Sequence, residues 1–172
     1  MEEITKGRNL KMAVEELKDV MEYDEAHYFG INNEIVLGGV ITEMTESSNP
    51  TEKDKQYIHQ KSKITKVTGF SNEFPITMDM VKGDAVLDYM YNLLYERKSG
   101  SDLDMDHYIV NLWQPVEAQE NTYKARKITQ TCEISECNGA AGEQKQITGS
   151  LKGGEFVYGT FNIKTKTFTE NA

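Results

Sequence analysis

The sequence predicts a mainly β fold, a β-sandwich or partly closed barrel of roughly seven or eight strands with one flanking α-helix. The last third of the chain, Tyr123–Phe168, alternates polar and apolar residues in runs separated by glycine-containing turns. That alternation is typical of a β-meander with one buried and one solvated face. One segment, Lys82–Gly100, has a clear helical pattern. Strands and helices do not alternate along the chain, which disfavours a parallel α/β sheet.

The segment Lys82–Gly100 carries the signals of a helix that packs on a sheet. Asp84 is placed to cap its first turn, a contribution of about 1 kcal/mol. Arg97 and Lys98 lie where the helix dipole favours cations, and Gly100 is placed to end the helix in a left-handed conformation. The apolar stripe consists of Val86, Met90, Leu93 and Leu94, widened by Leu87 and Tyr91.

Several strands are predicted ahead of the meander. His107–Gln114 is apolar on both faces, which predicts a central position in the sheet, and Pro115 ends it. A turn is predicted at Asn32-Asn33, and a bulge or a close backbone approach at Gly38-Gly39. The other strands are Ile35–Met44, Tyr57–Phe70 and Phe74–Val81.

The polar segment Glu46–Gln56 is predicted to be a loop. It contains no apolar residue, and Asn49-Pro50 favours a turn. Its length fits either a flexible solvated loop or one that contacts a partner, and the residues leave both readings open. The lysines of the following strand are interpreted as its solvated side, balanced by nearby acidic residues; they are Lys61, Lys63 and Lys66.

In the meander, the period of two assigns side chains to two faces. Ile128, Cys132 and Ile134 share the buried face. The opposite face of the same strand is a polar row formed by Lys127, Thr129, Thr131, Glu133 and Ser135.

Length and charge narrow the functional class. With 172 residues, one domain is the default; residues 26–172 are predicted to form it. The net charge is −9, from 28 acidic and 19 basic residues. This charge disfavours nucleic-acid binding as the function. Neither membrane insertion nor a signal peptide is predicted, because the chain lacks a run of about 20 apolar residues and an apolar N-terminal segment.

Residues 1–25 are predicted to form an N-terminal arm or helix. Their apolar residues fall on one helical face, but the segment could equally be an arm that orders only against a partner. The face consists of Leu10, Ala13, Val14, Leu17 and Met21.

The cysteines and histidines suggest no reactive site. Cys132 and Cys137 are five residues apart, which puts them on opposite faces of a strand, so they are interpreted as reduced packing thiols. The histidines lack the spacing of a helical metal site and are interpreted as ordinary surface or strand residues; they are His27, His59 and His107. No catalytic residue, metal site or cofactor is predicted.

An acidic run, Asp102, Asp104 and Asp106, has the spacing of the first half of an EF-hand loop. The glycine and the glutamate that the rest of that loop needs are replaced by His107 and Trp113. A solvated acidic loop over Ser101–Asp106 is therefore predicted, with a weak cation site as the alternative.

The order of elements carries a family resemblance. A strand region reading GGVITEMTESSNPTEKDKQYIHQKSKITKVTGF leads to FPITMDMV, then one helix, then YIVNLWQP. A long strand opens at Tyr123–Arg126, and the closing pattern places Gly149 before Leu151 and Gly159 before Phe161. From residue 26 to 168, this arrangement resembles the major tail (tail tube) proteins of tailed bacteriophages of Gram-positive hosts.

The resemblance implies a structural subunit that forms hexameric rings, stacked into a tube around a lumen through which viral DNA passes transiently during ejection. It implies a location in the virion tail after assembly in the host cytoplasm, and contacts with tape measure, terminator and baseplate or distal tail proteins. The polar row would line the lumen, and the loop Glu46–Gln56 would touch the neighbouring ring. The loop residues expected there are Ser48, Asn49, Pro50, Glu52, Lys53, Asp54 and Lys55.

The alternative function is a carbohydrate- or host-binding β-sandwich module of a virion, for decoration or adhesion. Such a module exposes a cluster of aromatic side chains. The candidates are Tyr89, Tyr91, Tyr95 and Trp113, and they are interpreted instead as helix packing and core, which places this alternative second.

Overall fold

The computed structural model describes residues 20–171. They form a nine-stranded antiparallel sheet, a separate two-stranded hairpin and one α-helix. The strands are β1 (Glu25–Ile31), β2 (Glu34–Leu37), β3 (Ile41–Met44), β4 (Pro50–Lys55), β5 (Ile64–Phe70), β6 (Glu73–Asp79), β7 (Asp104–Pro115), β8 (Thr122–Asn138), β9 (Gln146–Lys152), β10 (Val157–Asn162) and β11 (Thr167–Glu170). The helices are α1 (Ala85–Tyr95) and two 3-10 helices, Glu22–Asp24 and Gly100–Leu103.

The large sheet follows the strand order β2-β1-β7-β8-β9-β6-β3, with β10 and β11 branching from β8. Strand β8, with 17 residues, connects these parts. Along one edge it pairs with β7; along the other it pairs first with β10, opposite 122–127, and then with β9, opposite 131–138. Within the described residues β2 and β3, which end the path, do not pair with each other, so the barrel stays open.

The sheet has a buried core on each face. Near the start of β8, Ala125 belongs to a cluster with Tyr28, Tyr108 and Phe161. Further along β8, Cys132 points to the other face, into the larger core that α1 covers. The rings of Tyr28 and Phe161 lie 4.7 Å apart although β7 and β8 separate their strands, so the sheet curls strongly around the smaller core.

Helix α1 begins as the sequence predicts. Asp84 is its N-cap and accepts a 2.9 Å hydrogen bond from the backbone of Leu87. The side chains that α1 buries are Val86, Leu87, Met90 and Leu93, the larger part of the predicted stripe. They belong to the larger core, so apolar burial anchors the helix on the sheet.

The predicted end of this helix is wrong. Arg97, with φ +53°, takes the left-handed conformation that ends the helix, whereas Gly100, with φ +67°, lies three residues later and outside the helix end. The backbone N–H groups of Lys98 and Arg97 donate to the carbonyls of Leu93 and Leu94 at 3.0 and 3.2 Å, the two bonds of a Schellman motif. These bonds satisfy the last carbonyls without a glycine, and Gly100 instead starts a 3-10 helix.

Residues 20–171 form eleven strands, more than the sequence predicts. The predicted strand Ile35–Met44 is two strands, because the chain turns at 38–40. A Cβ on Gly38 would lie 2.8 Å from Phe29 Cε2, so the close backbone approach expected there is confirmed. The predicted loop Ser101–Asp106 is also partly wrong, since β7 already begins at Asp104.

Other predictions for the sheet are confirmed. Asn32 and Asn33 both have positive φ in the two-residue turn between β1 and β2, the geometry of a type I′ hairpin. Strand β7 is central, between β1 and β8, and it ends at Pro115. Trp113 differs from the prediction: its side chain is 47% exposed, because it lies beyond the part of β7 that the cores cover.

The predicted arm, residues 1–25, lies mostly outside the described residues, and its helical face stays a prediction. The described part begins at residue 20, and β1 starts at Glu25, next to the predicted domain boundary. No helix within residues 20–171 is both long enough and apolar enough to cross a membrane.

Candidate functional site: an exposed hairpin and a polar sheet face

The segment predicted as the loop Glu46–Gln56 is largely a strand, and the loop prediction is wrong. Strand β4 pairs antiparallel with β5, with Pro50 opposite Phe70 and Lys55 opposite Ile64. The sequence does not reveal this strand, because β4 has no alternation of polar and apolar residues. The strand is stabilised by backbone pairing rather than by a buried face. The predicted strand Tyr57–Phe70 is wrong in its first half, which connects the two strands of the hairpin.

The hairpin β4–β5 does not pair with the large sheet. Every residue of β4 is exposed, and in β5 only Gly69 is partly covered. Apolar side chains lie exposed beside the charged ones. Their exposed fractions are 107% for Ile58, 65% for Phe70, 51% for Val67, 45% for Tyr57 and 40% for Ile64.

The seven predicted contact residues divide between the root of this hairpin and its first strand. Ser48 and Asn49 form the root: the backbone N–H of Ser71 donates to Ser48 O at 3.0 Å, and Asn49 Nδ2 donates to Ser71 O at 3.2 Å. Pro50, Glu52, Lys53, Asp54 and Lys55 lie on β4. All seven are exposed; a contact with another ring stays a prediction.

An ion pair fixes the root of the hairpin to the sheet. Arg126 of β8 donates two hydrogen bonds to the carboxylate of Glu46, at 2.8 and 2.9 Å. Its guanidinium also lies 4.8 Å from the ring centroid of Phe156. Burial opposes the charge of Arg126, but the bonds to Glu46 raise the pKa of the guanidinium overall. Bidentate pairs of this kind are geometrically specific, so the pair sets where the hairpin leaves the body.

The predicted polar row on β8 does share one face. Lys127, Thr129, Thr131, Glu133 and Ser135 alternate with buried or partly buried side chains. Neighbouring strands extend the row, because the register places Thr131 between Asp104 of β7 and Lys152 of β9. Whether this face lines a lumen stays a prediction.

Cross-strand bonds hold the row in place. Lys127 Nζ lies 2.9 Å from Asp106, and Thr129 Oγ1 donates to the same carboxylate at 2.6 Å. Thr131 Oγ1 donates to Asp104 at 2.9 Å. Burial opposes ionisation of Asp106, but the hydrogen bonds from Lys127 and Thr129 lower the pKa of its carboxyl below the usual value. The hydrogen bond to Asp106 raises the pKa of Lys127.

The same bonds account for the acidic run. Asp104 and Asp106 lie on β7 and accept from threonines of β8 rather than forming a loop around a cation. Within residues 20–171, no group of three or more histidine, cysteine or acidic side chains is arranged to hold a metal ion.

The polar face is acidic overall. The β6–β9 register aligns Glu73 with Lys152 and Asp79 with Gln146, which continues the row onto β6. Carboxylates outnumber ammonium groups on it. The acidic residues are Glu73, Asp79, Asp104, Asp106, Glu133 and Glu136, and the basic ones are Lys127 and Lys152.

Two histidines, interpreted from the sequence as scattered, form a buried network. His27 and His107 are 80 residues apart, yet His27 Nδ1 lies 3.0 Å from His107 Nε2. His107 Nδ1 lies 3.1 Å from Gln130 Oε1, while Gln130 Nε2 donates to backbone carbonyls of Leu151 and Gly153. Gln130 must therefore accept from His107 Nδ1–H, so His107 Nε2 accepts from His27 Nδ1–H.

Burial keeps this pair neutral. It lowers the pKa of His107 to about 3 and the pKa of His27 to about 4. The ring of His107 stacks on Phe29 at 4.9 Å. No sequence spacing signals the network, because the β1–β7 register creates it by placing His107 opposite Phe29.

The cysteines differ from their predicted placement. A bulge between Ile134 and Glu136 shifts the β8–β9 register. Cys132 and Cys137 then pair with Leu151 and Ile147, two residues that share one face of β9, so the thiols do not lie on opposite faces. Both are free. Burial raises the pKa of Cys132 to about 12, whereas Cys137 is exposed at the end of the strand.

The aromatic candidates for a glycan-binding surface do not form one exposed cluster. Tyr89 and Tyr91 pack against the larger core. Tyr95, 74% exposed, stacks on Tyr91 at 6.0 Å, and Trp113 is exposed on β7.

Comparison with solved structures shows which known fold this chain resembles. No protein-family model and no curated protein matches the sequence. Among solved structures, a chain of the SPP1 tail tube, determined by solid-state NMR and cryo-EM, aligns with a TM-score of 0.62 and 16% identity over 80% of this chain and 78% of that one. This chain has a tail tube-like fold.

A chain of the anti-feeding prophage baseplate also aligns, covering 86% of this chain and 99% of that one at 7% identity. Its TM-score of 0.47 is below the level at which a fold is shared. The tail tube-like fold agrees with the mainly β class, the single flanking helix and the open barrel.

Proposed function

We propose that this chain is the structural subunit of a phage tail tube, in which hexameric rings stack around a lumen that viral DNA crosses during ejection. The observation that carries the proposal is the hairpin β4–β5, which stands apart from the sheet and leaves nearly all its residues exposed. The tail tube-like fold supports it.

A lone two-stranded hairpin is at best marginally stable in water. This one also exposes Val67 and Phe70 by more than half. Such a segment gains most stability when a second protein surface covers its apolar side chains. In the proposed tube that surface belongs to a subunit of the next ring.

Ring formation would use the edges of the large sheet. Strands β2, β3 and β11 each pair on one side only within residues 20–171. Unpaired edges readily recruit another strand. Identical head-to-tail contacts close into a ring when the rotation permits, and the joined sheets then form a barrel without free edges.

The polar face would line the lumen. Its excess of carboxylates, among them Asp104, Asp106 and Glu133, repels the DNA backbone and so prevents DNA from being retained. The cross-strand bonds of Lys127 and Thr129 to Asp106 hold the lining in place. Tape measure, terminator and baseplate or distal tail proteins would be the further partners, in a virion whose host is predicted to be Gram-positive.

Negative-stain electron microscopy of the purified full-length chain tests this proposal. Tubes or six-fold rings are expected, with length increasing at higher protein concentration. A protein that remains strictly monomeric at high concentration and binds glycans would contradict the proposal and favour the adhesion module.

A further inference from the structure

The hairpin places three lysines on one face. The β4–β5 register sets Lys53 directly opposite Lys66 and Lys55 opposite Ile64. Because side chains alternate along a strand, Lys53, Lys55 and Lys66 share a face. They line a groove of about 440 Å³ together with Asp54, Tyr57, Ile64 and Thr68. We refer to these three residues as the lysine face.

The acidic residues of the hairpin occupy its other face. Glu52 and Asp54 lie opposite Val67 and Thr65. Asp54 is already engaged there: Thr65 Oγ1 donates to its Oδ1 at 2.8 Å, and Lys63 Nζ lies 3.6 Å from its Oδ2. The expectation that nearby acidic residues balance the lysines is therefore confirmed for Lys63, which pairs with Asp54, but not for Lys66, which lies on the other face.

The lysine face has no anionic partner among the described residues. Of the ion pairs formed within residues 20–171, none involves Lys53, Lys55 or Lys66. Lys55 Nζ instead lies 4.8 Å above the ring of Tyr57. Like charges placed directly opposite each other destabilise a strand pair, so the pair Lys53 and Lys66 lacks compensation.

The hairpin and the rest of the chain have opposite charges. Residues 50–70 contain five lysines and two acidic residues, a formal charge of +3, whereas the whole chain carries −9, which leaves −12 on the remainder. A second copy therefore offers the lysine face an acidic surface. Opposite charges steer such an encounter and fix its orientation.

We propose that the lysine face binds an acidic surface of a second copy of this chain, so that ring-to-ring stacking is an electrostatic contact. This inference rests on the proposed function and specifies its inter-ring contact. Nucleic acid is the other anion to consider. The exposed apolar side chains beside the lysines, Tyr57 and Ile64, favour a protein surface, because apolar contacts would bury them and phosphates would not.

The test compares two triple charge reversals in the full-length chain. Lys53→Glu, Lys55→Glu and Lys66→Glu together reverse the lysine face. The matched control reverses three exposed lysines outside the hairpin, Lys124, Lys145 and Lys164, to Glu. Both variants change the net charge equally. Thermal unfolding checks that each folds, and negative-stain microscopy measures the number of rings per tube at low and high salt.

Wild-type tubes are expected to shorten as salt rises, since the screening length falls from about 10 Å at 0.1 M to about 3 Å at 1 M. The lysine-face variant is expected to form rings that do not stack, with an affinity loss of at least about tenfold, which corresponds to about 1.4 kcal/mol. The control is expected to stack like the wild type.

Stacking of the lysine-face variant at wild-type length and salt dependence would overturn the inference and leave the proposed function standing. Equal loss in both variants would also overturn it, because net charge alone would then explain the effect. If the wild type binds a random duplex DNA and the lysine-face variant loses only that binding, the partner is nucleic acid. A wild type without rings at any concentration would overturn the proposed function and the inference together.

Discussion

The large sheet and the hairpin β4–β5 are stabilised in different ways. The sheet buries two cores, one on each face, and covers the larger core with α1. The hairpin buries almost nothing and carries the opposite net charge. The comparison separates folding from assembly: the sheet stabilises the subunit, whereas the hairpin is expected to affect only what the subunit binds.

Removing the hairpin gives the largest expected effect on assembly. Pro50 and Phe70 face each other across its base, so a short glycine-serine linker can replace residues 51–69. The subunit is expected to keep its circular dichroism spectrum and its melting temperature, because no core residue is lost, but tubes should disappear in negative stain. If this variant formed long tubes, the proposed role of the hairpin in assembly would be contradicted. If the variant did not fold, the sheet and the hairpin would not be independent.

Replacing one phenylalanine in the sheet and one in the hairpin by alanine measures how much each region contributes to the free energy of unfolding. Phe29 is fully buried, whereas Phe70 at the hairpin is 65% exposed. Phe29→Ala is expected to lower the free energy of unfolding by about 3–5 kcal/mol. Phe70→Ala should change it by no more than about 0.5 kcal/mol. Urea denaturation of the unassembled protein measures both, and similar losses would contradict the comparison.

The histidine network predicts that the sheet loses stability in acid. The folded-state pKa values of His27 and His107, about 4 and about 3, lie below the ordinary value of about 6.5. The unfolded chain therefore binds more protons between these values, and stability falls as pH decreases from about 6.5 towards 4, by about 1.4 kcal/mol per pH unit for each histidine.

Urea denaturation across this pH range measures that slope. His27→Gln is expected to reduce it. The matched control, His59→Gln, changes an exposed histidine of the hairpin and should leave the slope as it is. A wild-type stability that stays constant from pH 6.5 to 5 would contradict the neutral buried pair.

Removing the ion pair at the hairpin root is expected to have the smallest effect on stability. Arg126→Gln removes both bonds to Glu46 and is expected to cost about 1 kcal/mol of unfolding free energy, since the pair is partly solvated. Lys124→Gln on the same strand is exposed and serves as the control. Equal effects of the two substitutions would show that the pair does not fix the root.

The sequence predicts the local structure correctly where residue patterns are strong. The cap at Asp84, the helical stripe and the two faces of β8 all follow from residue spacing, because side-chain burial repeats with the period of the element. The fold class follows from the same patterns, and the tail tube-like fold agrees with it.

What the sequence does not predict depends on register. Strand β4 has a loop-like composition and becomes visible only through its pairing with β5. The bulge at Ile134 and Glu136 changes the face of Cys137. His27 and His107 meet because β1 and β7 pair across 80 residues. Local periodicity contains none of these long-range alignments, and the lysine face depends on one of them.

A cryo-electron microscopy reconstruction of the assembled full-length chain tests the separation of fold and assembly most directly. The expected map shows stacked six-fold rings, with the hairpin β4–β5 of each subunit lying on an acidic surface of a subunit in the next ring. A map in which the hairpin folds back on its own subunit, or projects into the lumen without touching another copy, would contradict this account.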